Sequence, residues 1–272
     1  MSSGTRTHSR SVFRNGSGRL EDQCSTLRAS EVAELSQRRQ SGRTSTATAL
    51  VAAVTLLVLT NLVNNRWAPS WIVLSSAIAS AALIAITFRA GGGWADLGLS
   101  RDTLRRGLGW ALALVAIVAA VYLCAAALPV TRELFEDERA SGLSGAEVVG
   151  RVLIKVPIGT VLLEEVAFRG ALYGLVLRAR GPVAATVFSS VLFGLWHILP
   201  SRHLTDSNQA VGSLFGHSAL GTVLATFGAV LLTAAAGCLF CYLRHRTGSL
   251  LAPMGLHWAT NSLGYVFSSV LA

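Results

Sequence analysis

Long apolar runs separated by short polar breaks make up most of the chain, and the runs have the length of membrane-crossing helices. A hydrocarbon core about 30 Å thick takes about 20 helical residues to cross. Runs of that order lie near 47–63, 70–88, 107–128, 148–177, 182–199, 218–243 and 249–271. The pattern predicts an all-α fold, a polytopic transmembrane helical bundle of about seven spans over residues 47–272. Residues 1–46 are rich in Ser, Arg, Gly and Thr and contain no apolar run. They read as a disordered basic N-terminal tail and not as a signal peptide, because no apolar region follows a charged one within the first thirty residues. Gly91, Gly92 and Gly93 lack the G-x-G-x-x-G spacing of a nucleotide site and read as a flexible connection. The amphipathic segment after them, 94–106, is expected to lie along the inner interface with Trp94 and Leu97 in the headgroup zone.

Composition agrees with a membrane protein: of 272 residues, 52% are hydrophobic and 14% charged, too apolar a balance for a soluble domain. The net charge of +9 would suggest a nucleic-acid partner if it formed a patch. Its arginines instead lie in the tail and at the ends of apolar runs, so the predicted partner is the lipid bilayer and no nucleic acid. With the tail inside, Arg89, Arg101, Arg105, Arg106, Arg178, Arg180, Arg244 and Arg246 all fall on the inner side. Arg66, Arg132, Arg139 and Arg202 fall on the outer side, with Arg151 and Lys155 at an outer helix mouth. This asymmetry predicts a cytoplasmic N-terminus in the plasma membrane of a bacterium, and the acidic connection 129–147 facing outward. Cys24, Cys124, Cys238 and Cys241 have neither metal-site spacing nor the density of a disulfide scaffold. The C-x-x-C at 238–241 lies in an apolar helix and reads as packing.

Of 14 acidic residues, only Glu164 and Glu165 fall inside a stretch that reads as embedded, 152–177. An ionisable group there costs roughly 2.5–3.5 kcal/mol on insertion scales, so it usually faces a protein interior or a wet cavity and usually acts. Three segments carry such groups: EEVAFR at 164–169, FGLWH at 193–197 and HWATN at 257–261. Glu165 and Arg169 stand at i, i+4 with the acid first, the favourable order for an ion pair. Glu164 points about 100° away around the helix, which suggests a division of labour with Glu164 as base and Glu165 as scaffold. His197, assisting Glu164, and His257 with Asn261, donating to an oxyanion, would complete a site for peptide-bond hydrolysis by an activated water. Each part also has a structural reading: a buried ion pair, a hydrogen-bonded core histidine, an interhelical hydrogen bond. A metal variant stays open, with Glu164, His197 and His257 holding a divalent ion such as zinc. The absence of H-E-x-x-H and of an obvious supporting carboxylate beside either histidine favours the metal-free version, with no cofactor.

These three segments resemble the motifs of the CPBP intramembrane proteases, the group that contains the type II CAAX prenyl proteases and the Abi proteins. E-E-x-x-x-R stands as Glu164, Glu165 and Arg169, F-x-x-x-H as Phe193 and His197, and H-x-x-x-N as His257 and Asn261. The resemblance covers about 148–265, the expected catalytic core. It implies a membrane-embedded catalytic cavity, a catalytic glutamate aided by two histidines and an asparagine, and endopeptidase activity. It implies as substrate a membrane-associated or prenylated CAAX-type peptide or protein, or a bacteriocin leader. A proton-coupled transporter or a catalytically silent immunity or scaffold protein is the alternative. The 200–217 connection is long for the family, and His203 and His217 within it read as solvated surface residues. The predicted spans put His197 near an outer helix end, Glu164 mid-helix and His257 in an inner half. Convergence therefore calls for helices that tilt, break or shift from these bounds, and Pro253 and Gly255 allow a break. Gly170 and Gly174 are expected to admit a neighbouring helix.

Overall fold

The computed structural model describes residues 44–128, 131 and 142–271. Among them the fold is all-helical, with no strand. The tail call at 1–46 falls almost wholly outside the described residues, as does most of the acidic connection 129–147.

Helix α1 (Thr46–Leu62) starts on a Ser45 cap whose hydroxyl accepts the Thr48 N–H. It loosens into a π-turn, Val63–Trp67, before Pro69–Trp71 leads into α2 (Ile72–Arg89). The short α3 (Trp94–Leu97) ends at Gly98 in the left-handed conformation, and α4 (Arg101–Ala127) follows. Next, α5 (Gly145–Gly150) runs through the π-wound stretches Arg151–Leu162 and Glu165–Leu172 into α6 (Tyr173–Trp196). Two short helices, α7 (Leu204–Ser207) and α8 (Gln209–Phe215), precede α9 (Ala219–Thr247) and α10 (Leu251–Leu271). Four stretches among the described residues are long and apolar enough to cross a membrane: Thr46–Trp67, Pro69–Arg89, Trp94–Ala127 and Ala219–Thr247. Their outward faces carry Val51, Ile78, Leu112, Val121 and Leu232.

α10 packs along α4, and α9 along α6. Between these pairs and α1 and α2 lies the helix run 145–196 that carries the acidic pair, and its core residues Leu163, Val166, Phe168 and Leu172 are fully buried. Pro157 explains part of its winding. In π register its missing N–H would have served the Val152 carbonyl, which instead accepts from Trp258 Nε1 at 3.1 Å and Ser262 Oγ at 3.5 Å. Neighbouring helices satisfy other carbonyls of the run: Ser76 Oγ donates to Gly159 O at 2.8 Å, Ser189 Oγ to Phe168 O at 2.6 Å. Such support keeps irregular backbone tolerable at membrane depth. The run then turns at Gly181, whose φ of 83° and ψ of 178° suit glycine alone, with Pro182 restarting the helix.

Several expectations are corrected here. Leu97 is fully buried in the main core and only Trp94 is exposed, so the 94–106 segment does not lie flat on the interface. Its second half is the first turn and more of α4, which begins at Arg101 and not near 107. The partner admitted by Gly174 is α3: a Cβ there would stand 2.5 Å from Asp96 O. The 91–93 glycines form an ordered turn, with Gly91 N–H on Phe88 O, Gly92 N–H on Thr87 O and Arg178 Nη2 on Ala90 O. α10 is unbroken through Pro253, which sits in its first turns, and Gly255 instead lets it close on Ala111 of α4. Cys241 is buried against Ser190 as packing predicts, whereas Cys238 faces outward. His203 and His217 are exposed, on either side of Asp206.

Candidate active site

The site forms where three helix segments meet the run 145–196. Glu165 is fully buried and its Oε1 takes two donors, Arg169 Nη1 at 3.1 Å and His257 Nδ1 at 2.7 Å. The Arg169 guanidinium lies between two aromatic faces, with Cζ 3.9 Å from the Phe193 ring centre and 4.6 Å from that of Phe240. Its Nε and Nη2 have no hydrogen-bond partner, so one carboxylate and two ring faces hold the cation. The expected Glu165–Arg169 scaffold is therefore present, with His257 added to it.

Glu164 faces the other way. Its Oε1 accepts from Trp196 Nε1 at 3.0 Å, and its buried Oε2 has no hydrogen-bond partner. Toward that oxygen stand His257 Nε2 at 3.7 Å and His197 Nε2 at 4.0 Å. The remaining nitrogens of both rings are engaged by acceptors, which fixes the tautomer of each neutral imidazole. His197 Nδ1 donates to Phe193 O at 2.8 Å, and His257 Nδ1 donates to Glu165. In that neutral form each Nε2 is a lone-pair acceptor. Two imidazole Nε2 atoms and one carboxylate oxygen converge on a single spot.

Local sequence explains how His197 reaches it. The last turn of α6 tightens, with His197 N–H on Gly194 O, which leaves Phe193 O for the imidazole of the same residue. Helix end, π-wound run and unbroken α10 together achieve the convergence expected of a helix break. Asn261 lies one turn from His257, is exposed, and donates from Nδ2 to His257 O at 3.0 Å. The structure thus brings together Glu164, Glu165, Arg169, Phe193, His197 and His257, and gives Asn261 a main-chain partner at the rim.

The sequence reading missed Trp196 and Phe240. The indole adjacent to His197 was a visible signal; Phe240 carried none. It also missed an acid beside a histidine, since Glu165 holds His257 from a position 92 residues away. Among the described residues no group of three or more His, Cys, Asp or Glu side chains has metal-holding geometry.

Residues 149–263 match the family model of type II CAAX prenyl endopeptidase Rce1-like proteins. No curated protein and no solved structure matches the chain.

Proposed function

We propose, from the Rce1-like match over residues 149–263, that the chain is a CAAX-type intramembrane protease of the CPBP family, an integral membrane protein in which Glu164 activates the hydrolytic water. One observation carries this: Glu164 Oε2 is buried, unpartnered and faced by two imidazole Nε2 atoms, while Oε1 is tied to Trp196. A water there gives one proton to Oε2 and directs the other at an Nε2 lone pair. As the proton moves to Glu164, the water oxygen bonds to the scissile carbonyl carbon and the carbonyl electron pair becomes an oxyanion. The second N–H of the Asn261 amide is the donor for that oxyanion. On collapse the C=O bond re-forms, the C–N bond breaks, and Glu164 returns its proton to the departing amine. His257, first expected as an oxyanion donor, serves the water in this scheme, because its Nδ1–H is committed to Glu165.

The substrate is a membrane-associated peptide or protein, with a prenylated CAAX-type C-terminus as the class the family suggests. The seven helical runs cross the bilayer around a cavity at Glu164, with the N-terminus in the cytoplasm of a bacterium. Supporting this orientation, arginines tie one end of the bundle together: Arg106 Nε donates to Thr247 O at 2.9 Å and Arg244 Nη2 to Ala95 O at 2.9 Å. A cysteine placed at Arg246 should be labelled only from the cytoplasmic side; labelling from outside would reverse the topology. Purified protein should cleave a farnesylated CAAX peptide, and Glu164→Gln should lose about 10²–10⁴ in rate while still folding. Wild-type turnover by the Gln variant sinks the assignment of the base.

A further inference from the structure

The orientation of Glu164 depends on a contact that begins outside the matched domain. Trp196 ends α6, and its carbonyl would ordinarily accept from the N–H four residues on. That residue is Pro200, which has none. The donor comes instead from α1: Asn61 Nδ2 lies 2.9 Å from Trp196 O, both residues being buried. Asn65 Nδ2 donates to Asn61 Oδ1 at 2.6 Å, which fixes the amide with its nitrogen toward Trp196. On the other side of the same residue, the indole Nε1 donates to Glu164 Oε1 at 3.0 Å.

We infer that Asn61 and Trp196 form a positioning device for the catalytic glutamate, resting on the reading of Glu164 as base. A carboxylate that hydrogen-bonds through one oxygen loses its freedom to rotate, and its second oxygen, Oε2, is held toward His197 and His257. An indole is suited to this because it only donates, so it cannot take the proton that Glu164 must receive. Its ring is itself wedged edge-on against Phe168, with centroids 5.9 Å apart. Asn61 sets where the Trp196 backbone sits, and so sets His197, the next residue, as well. The first helix thereby becomes part of the catalytic apparatus although it lies outside residues 149–263.

The test uses the full-length protein with Trp196 replaced by 3-benzothienylalanine, which keeps the fused ring and substitutes sulfur for N–H, and separately Trp196→Phe and Asn61→Leu. On the farnesylated peptide, kcat should fall about 10- to 100-fold for the benzothienyl protein, with KM and melting temperature unchanged. Asn61→Leu should lower kcat in the same direction. Combined with the benzothienyl residue it should cost less than the product of the two separate losses, the non-additivity of groups acting through one another. The indole N–H resonance lost in Trp196→Phe should move in Glu164→Gln, a readout independent of turnover. Wild-type kcat for the benzothienyl protein, or an indole resonance unmoved by Glu164→Gln, overturns the device while the base assignment stands. Full turnover by Glu164→Gln overturns the base itself.

Discussion

Replacing Arg169 tests whether the acidic pair is held by charge. The side chains of Arg169 and Glu165 are both fully buried, and Nη1 to Oε1 is 3.1 Å. Arg169→Ala leaves Glu165 with His257 Nδ1 as its one remaining donor, and opens a hole between the rings of Phe193 and Phe240. Stranding one member of a buried pair costs roughly 3–5 kcal/mol, and the emptied space adds to that. At about 2–4 °C per kcal/mol for a domain of this size, the melting temperature should drop by roughly 6–20 °C. The assay is a thermal melt in detergent, paired with kcat per folded molecule. The double variant Glu165→Gln with Arg169→Met removes both charges at similar volume, which is often near neutral for stability. Its melting temperature should recover. Its turnover should stay low, because His257 has lost the charged acceptor that orients it. An Arg169→Ala protein that melts like the wild type would refute the reasoning.

Asn261→Ala should lower kcat by about 10²–10³ with little change in KM; a kcat near wild type per folded molecule removes Asn261 from the catalytic set and leaves it as a bond within α10. Extensive chelation should leave turnover intact, as direct activation of the water by Glu164 requires. Loss on chelation with recovery on zinc addition overturns that. Gly174→Leu should destabilise by about 1–3 kcal/mol through displacement of α3, whose Asp96 O stands 2.5 Å from the added Cβ. Gly109→Leu, where a Cβ meets nothing within 4 Å, should not; equal melting temperatures for the two would show that α3 does not seat against Gly174.

Run length carried the fold because lipid leaves helix as the economical answer for an apolar stretch, and the starts of α1, α2 and α10 fall within a few residues of the apolar runs. The reading stopped short at Arg101–Arg106, where charges end an apolar run without ending a helix. It misassigned Leu97 for a different reason. A short amphipathic segment looks the same whether its apolar face meets headgroups or protein. What decides is Gly174, 77 positions further on, which removes the side chain that would block α3.

The site divides along the same line between local and distant. Glu165 with Arg169 was legible because i, i+4 geometry needs no tertiary knowledge. Trp196 on Glu164 and Glu165 on His257 were not, since they depend on how far the run 145–196 is rotated about its axis, and its π-winding shifts that rotation from the α-helical value. Only Pro157 announces the change in the sequence. The consequence is chemical. Adjacent carboxylates leave the helix on different faces, so one meets a guanidinium and an imidazole Nδ1 while its neighbour meets a single indole and two imidazole Nε2 atoms. The guanidinium and the imidazole N–H hold the Glu165 carboxylate in place. Glu164 keeps Oε2 without a hydrogen-bond partner among the described residues, the feature on which its proposed role as base rests.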